Sequence, residues 1–104
     1  MNLKTLNYIR NKAQLQKLYI SQFTPDYIRK EIYEVLKKTR ENVTAGALLF
    51  AKNISTEEVI IFINRNGKPD GYILSDELKM QLREYKDDLI REKFLLNELQ
   101  KTKI

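Results

Sequence analysis

The chain has 104 residues, 32% of them charged and 42% hydrophobic, with 19 Lys and Arg against 14 Asp and Glu for a net charge of +5. With no cysteine and no histidine, disulfides, thiol chemistry, Cys-ligated zinc and the usual general base are excluded. The length suits one domain, the mild basic excess favours an anionic partner, and no apolar run reaches the ~18 residues of a membrane span. The expectation is a soluble cytoplasmic protein.

Residues 1–22 read as helical, with Leu3, Leu6 and Ile9 on one stripe and Leu15, Leu18, Tyr19 and Phe23 following at helical spacing. The segment carries Lys4, Arg10, Lys12 and Lys17 and no acidic residue. It reads as an amphipathic helix with a solvated basic face, or as a nucleic-acid-facing arm. Phe23-Thr24-Pro25-Asp26 is a helix start: Thr24 can cap, Pro25 suits the first helical position, and Asp26 complements the positive helix end. Ile28, Ile32, Val35 and Leu36 continue at helical spacing. A short strand over 31–36 competes, because Ile32, Tyr33 and Val35 suit a pleat. Residues 39–53 are a further helix candidate, with Val43, Ala47, Phe50 and Ala51 on its apolar face.

Val59–Ile63 is a continuous apolar run, β-branched but for Phe62, and predicts a buried strand. Asn66-Gly67 provides a tight reversal, and Gly71–Leu74 reads as the return strand of a hairpin. A helix-turn-helix over 44–64, with 53–56 as the turn, is the weaker alternative, since Val59–Ile63 makes a poor solvent-facing recognition helix. Ser75 then caps a long helix with Asp76 and Glu77 in its first turn. Leu78, Leu82, Tyr85, Leu89, Leu96 and Leu99 step by four and three, with Glu92 interrupting the seam; Ile90, Phe94 and Leu95 broaden the apolar surface. One small core cannot cover all of this helix, which points to an intermolecular role and to a dimer.

The predicted fold class is α+β: N-terminal helices, a central β-hairpin within a small sheet, and a long C-terminal helix. A single domain would comprise a basic helical region (1–38), a helix-plus-hairpin core (39–78) and a helical tail (79–104). The Asn66–Glu77 stretch has EF-hand-like spacing, but Lys68 falls where a calcium ligand belongs. Adjacent carboxylates such as Asp87-Asp88 diverge, and no phosphate loop occurs. The expectation is a non-enzyme without metal or cofactor.

Three motifs carry a family resemblance: Arg40-Glu41-Asn42-Val43, Asn64-Arg65-Asn66-Gly67-Lys68-Pro69, and Ile73-Leu74-Ser75 before a helical tail. In order and spacing they resemble the prevent-host-death (Phd/YefM) antitoxins over residues 39–99. The resemblance implies a dimer that binds its own operator DNA and neutralises a protein toxin with its C-terminal helix. Carried over by position, Arg40 and Asn42, with Lys37 and Lys38 beside them, would face DNA. Leu89, Phe94, Leu95, Leu96 and Leu99 would meet the toxin. The alternative is a small protein-interaction module, such as a mobile-element inhibitor, that binds a host protein through the same helix.

Overall fold

A computed structural model describes residues 3–101, and side-chain surroundings through residue 98. The order is β1 (Lys4–Leu6), α1 (Lys12–Tyr19), α2 (Pro25–Thr39), α3 (Ala45–Phe50), α4 (Thr56–Asn66), β2 (Tyr72–Leu74) and α5 (Asp76–Lys101). The α+β class and the long C-terminal helix are as the sequence indicates.

Each helix begins on a capping side chain. Asn11 accepts from the Gln14 amide at 2.9 Å, Thr24 from Tyr27 at 3.2 Å, Thr44 from Ala47 at 3.3 Å and Ser75 from Leu78 at 3.2 Å. Such caps satisfy amides that the first turn leaves unpaired. At α4 the cap is a full capping box: Ser55 Oγ accepts from the Glu58 amide while Glu58 accepts from the Ser55 amide.

That box marks the main departure from the sequence reading. Val59–Ile63 is not a strand but the middle of α4, and Val59, Ile60, Ile61, Phe62 and Ile63 are all buried. A helix apolar on every side belongs at the centre of a fold, and α4 lies between α2 and α5. Residues 59–74 therefore do not form a β-hairpin. Asn66-Gly67 ends α4 instead of reversing a strand, with Gly67 at φ 83° donating its amide to Ile63 O at 2.7 Å. The predicted return strand does form as β2, but it pairs in parallel with β1, Thr5 opposite Ile73.

Three other boundaries move. The N-terminal segment is not one helix: it opens as β1, and only Lys12–Tyr19 is helical. Residues 31–36 are helical, within α2. Residues 39–53 do not form one helix, because α2 runs to Thr39 and only Ala45–Phe50 coil again. The face expected there is also reversed, since Leu48 is buried while Phe50 is 85% exposed.

One core cluster runs from Leu6 to Leu78. At its centre the Tyr19 ring meets Phe62 edge-on, centroids 4.9 Å apart, and Tyr19 Oη donates to Gly67 O at 2.6 Å. Burial raises the Tyr19 pKa above the ordinary phenol value. No described helix is long and apolar enough to cross a membrane.

Candidate functional site

α5 packs on α4, and Glu57 and Ile60 near the start of α4 share a concavity with Met80, Gln81, Glu84, Tyr85 and Asp88 of α5. Leu78 is buried, and Leu82 and Tyr85 pack against the core. Tyr85 is the last α5 residue packed against the core, and the thirteen helical residues after Asp88 add about 20 Å at 1.5 Å each. On this overhang Leu89 is half-buried, while Ile90, Phe94, Leu95 and Leu96 are exposed, Phe94 by 63%. Leu99 continues the helical backbone, and its side chain lies outside the described residues. The structure thus places Leu89, Phe94, Leu95 and Leu96 on the outer part of one helix, Leu89 half-buried and the other three exposed.

Ile90 belongs with them. Its apolar character was legible in sequence, but it sits off the four-three seam.

Burying Ile90, Phe94, Leu95 and Leu96 is worth roughly 6–12 kcal/mol gross at about 1.5–3 kcal/mol per side chain. Association costs about as much. A complex through α5 must therefore enclose the helix well or recruit further surface. Residues 76–104 hold seven acidic and seven basic residues, while residues 1–55 carry the whole basic excess. With no net charge and several exposed apolar side chains, this helix has chemistry that fits a protein groove.

Of the residues proposed to face DNA, three are exposed and one is engaged within the fold. Lys37 and Lys38 are exposed in the last turn of α2. Lys37 lies 3.7 Å from Glu34 and stacks 5.4 Å from the Tyr33 ring centroid. Asn42 is exposed in the segment before α3. Arg40 is committed elsewhere. Its Nε and Nη2 each donate to Glu58 at 3.0 Å, and Nη2 also reaches Asn53 O at 3.0 Å. Thr39 Oγ1 donates to the same carboxylate. Burial alone would raise the Glu58 pKa, but the Arg40, Thr39 and Ser55 donors and the Arg40 charge overcome it, and the net shift is downward. Arg40 is thus a structural clamp between the end of α2 and the start of α4.

A second apolar surface surrounds α3. No charged residue occurs from Val43 to Ala51, and Val43, Leu49 and Phe50 are exposed. Lys12 Nζ closes the end of this helix, donating to Leu48 O at 2.7 Å and Leu49 O at 3.2 Å. Burial, then the nearby Arg40 charge, lowers the Lys12 pKa. The helix-turn-helix alternative fails here on geometry. Helices α3 and α4 do flank a turn, but the residues that would have to read DNA from α4 are inside the core.

Among the described residues, no group of three or more Asp and Glu is arranged to hold a metal. Of the elements that the Phd/YefM resemblance implies, β2 ending in Leu74-Ser75 and the helical tail occur in place, whereas the strand before Asn64 is the helix α4. No family model, curated protein or solved structure matches the chain.

Proposed function

We propose that this protein is a non-catalytic protein-interaction module that engages its partner through the overhanging half of α5. The supporting observation is the set of exposed apolar side chains Ile90, Phe94, Leu95 and Leu96 on a helix that continues past its own core. The compact body, 53 × 38 × 21 Å with the helix included, positions and solubilises the arm. An inhibitor or adaptor that occupies a helix-binding groove fits this form.

The second reading is the antitoxin-like one, in which a dimer binds its own operator and the same helix masks a toxin. It is favoured by the basic excess of residues 1–55 and by the exposed Lys37, Lys38 and Asn42. It shares the α5 interaction and adds DNA.

The test is affinity capture of the tagged protein from the cells that express it, washed in high salt, beside a Phe94→Asp/Leu96→Asp variant. The interaction module predicts one stoichiometric protein partner that survives salt and is lost from the variant. A partner retained equally by both would overturn the α5 reading. Tight, salt-sensitive and sequence-dependent binding to DNA from upstream of its own gene would bring the antitoxin reading forward.

A further inference from the structure

The two-stranded sheet has two outer edges, and they differ. In a parallel ladder alternate residues of each strand point their backbone groups toward the neighbour. Lys4 donates to Gly71 O at 3.0 Å and Leu6 O accepts from Ser75 at 2.9 Å, so Lys4 and Leu6 face β2. Thr5 therefore turns its N–H and C=O outward. On the β2 side the outward groups of Tyr72 are satisfied locally, and Leu74 is buried. The Tyr72 amide donates to Pro69 O at 3.3 Å, and Tyr72 O accepts from Lys68 Nζ at 2.8 Å. The β2 edge is thus bonded at Tyr72 and buried at Leu74, whereas Thr5 on the β1 edge is exposed.

The open edge borders an exposed concavity of about 750 Å³, lined by Thr5, Tyr8, Lys17, Leu18, Ile20 and Tyr72. Tyr8 is 63% and Ile20 52% exposed. Apolar side chains thus stand beside a strand edge that has a donor and an acceptor to spare. Proteins normally blunt such edges, and an extended peptide completes them by adding a strand, with backbone bonds for affinity and side-chain pockets for specificity. Charge indicates which peptide. Residues 1–22 hold four basic residues and no acidic one. Lys12 is occupied at the end of α3, while Lys4, Arg10 and Lys17 are exposed and in no ion pair among the described residues. Lys17 is the one basic and Asp70 the one acidic lining residue, while Lys4 lies next to Thr5 on β1 itself and Arg10 follows in the chain.

We propose that the β1 edge is a second docking site, which takes an extended acidic–apolar segment of a partner protein as a third strand. It is independent of the α5 reading, since it uses the opposite chemistry: backbone pairing and positive charge in place of an apolar helix.

The experiment titrates the ¹⁵N-labelled full-length protein with a short synthetic peptide alternating Glu and Val. Controls are a Lys/Val peptide and a Glu/Val peptide N-methylated on alternate residues. Saturable shifts at the Thr5 amide are expected, with at least ~10-fold weaker binding of both control peptides, a difference of about 1.4 kcal/mol or more. Thr5→Pro removes only the outward N–H, a change an edge strand tolerates, and should weaken the Glu/Val peptide similarly. Lys17→Glu should lower the preference for Glu over Lys. No saturable binding up to about 1 mM, equal binding of the N-methylated peptide, or shifts confined to α5 or to 43–51 would overturn the proposal. The N-methylated arm decides the matter even if Thr5→Pro fails to fold.

Discussion

Arg40 and Glu58, eighteen positions apart, form a two-point ion pair in which both guanidinium–carboxylate bonds measure 3.0 Å. Glu58 is 4% exposed and the Arg40 side chain 30%. The pair joins the end of α2 to the capping box of α4 and, through Asn53 O, holds the loop between α3 and α4. Removing one partner of a buried pair strands the other charge, at a cost of about 3–5 kcal/mol when both are deeply buried. With Arg40 partly solvated, Arg40→Ala should cost about 2–3 kcal/mol. Arg40→Lys should recover only part of that, because an ammonium cannot make the fork. Denaturant unfolding of both variants checks this. A loss below about 0.5 kcal/mol for Arg40→Ala would mean that the guanidinium is not engaged as described.

The same pair sets an acid limit. The folded Glu58 pKa lies below its ordinary value of 4.5, so the carboxylate contributes its full stabilisation above that value. The contribution is lost as pH falls below 4.5 through the folded pKa. Glu31, whose pKa is lowered chiefly by its hydrogen bonds from Arg65 against opposing burial, acts in the same direction. Thermal melts should therefore fall steeply in this range. Glu58→Gln should be less stable at neutral pH yet show a shallower acid slope. An unchanged slope would exclude Glu58 as a contributor.

Two glycines should respond in opposite senses to alanine. Gly67 sits at φ 83° and ψ 172° at the end of α4, a region that side chains avoid, and an added Cβ would meet nothing within 4 Å. The cost of Gly67→Ala is then backbone strain alone, about 1–3 kcal/mol. Gly46 lies inside α3, also with open space around its Cβ. Gly46→Ala should stabilise by about 0.5–1 kcal/mol. Chemical denaturation of the two variants side by side gives the sign of each.

Tyr19 should behave as the last phenol to ionise. Its ring is fully buried and its hydroxyl is committed to Gly67 O. The raised pKa makes its contribution complete below the ordinary phenol value of 10.0 and lost as pH rises beyond it. Spectrophotometric titration of the six tyrosines should show a late phase coupled to unfolding, absent in Tyr19→Phe. That variant should also lose about 1–2 kcal/mol at neutral pH, because the Gly67 carbonyl is left without its donor.

Much of the fold was legible in the sequence, but unevenly. Thr24-Pro25-Asp26 and Ser75-Asp76-Glu77 announced α2 and α5, because capping is local chemistry that does not depend on the rest of the chain. Val59–Ile63 misled, since a short run apolar at every position has no period to read and fits a buried strand or a buried helix equally. The deciding signal lay immediately upstream: Ser55 and Glu58, three residues apart, are spaced as a capping box. β1 was illegible because three residues give no pattern, and its partner lies 68 positions away. Of the candidate site, the apolar residues of α5 were visible as a seam too long for one small core. The role of Arg40 was not, since only the folded chain brings it to Glu58.

The most direct test of the central claim, that the outer half of α5 is the partner-binding element, is amide hydrogen exchange along α5 in the free protein and in the captured complex. In the free protein, residues 78–85 should be protected by their packing on α4, and residues 90–98 should exchange much faster. In the complex, protection should appear at 90–98 and leave 78–85 unchanged. Protection at 90–98 already present in the monomeric free protein, or a complex that protects only surfaces away from α5, would contradict the account.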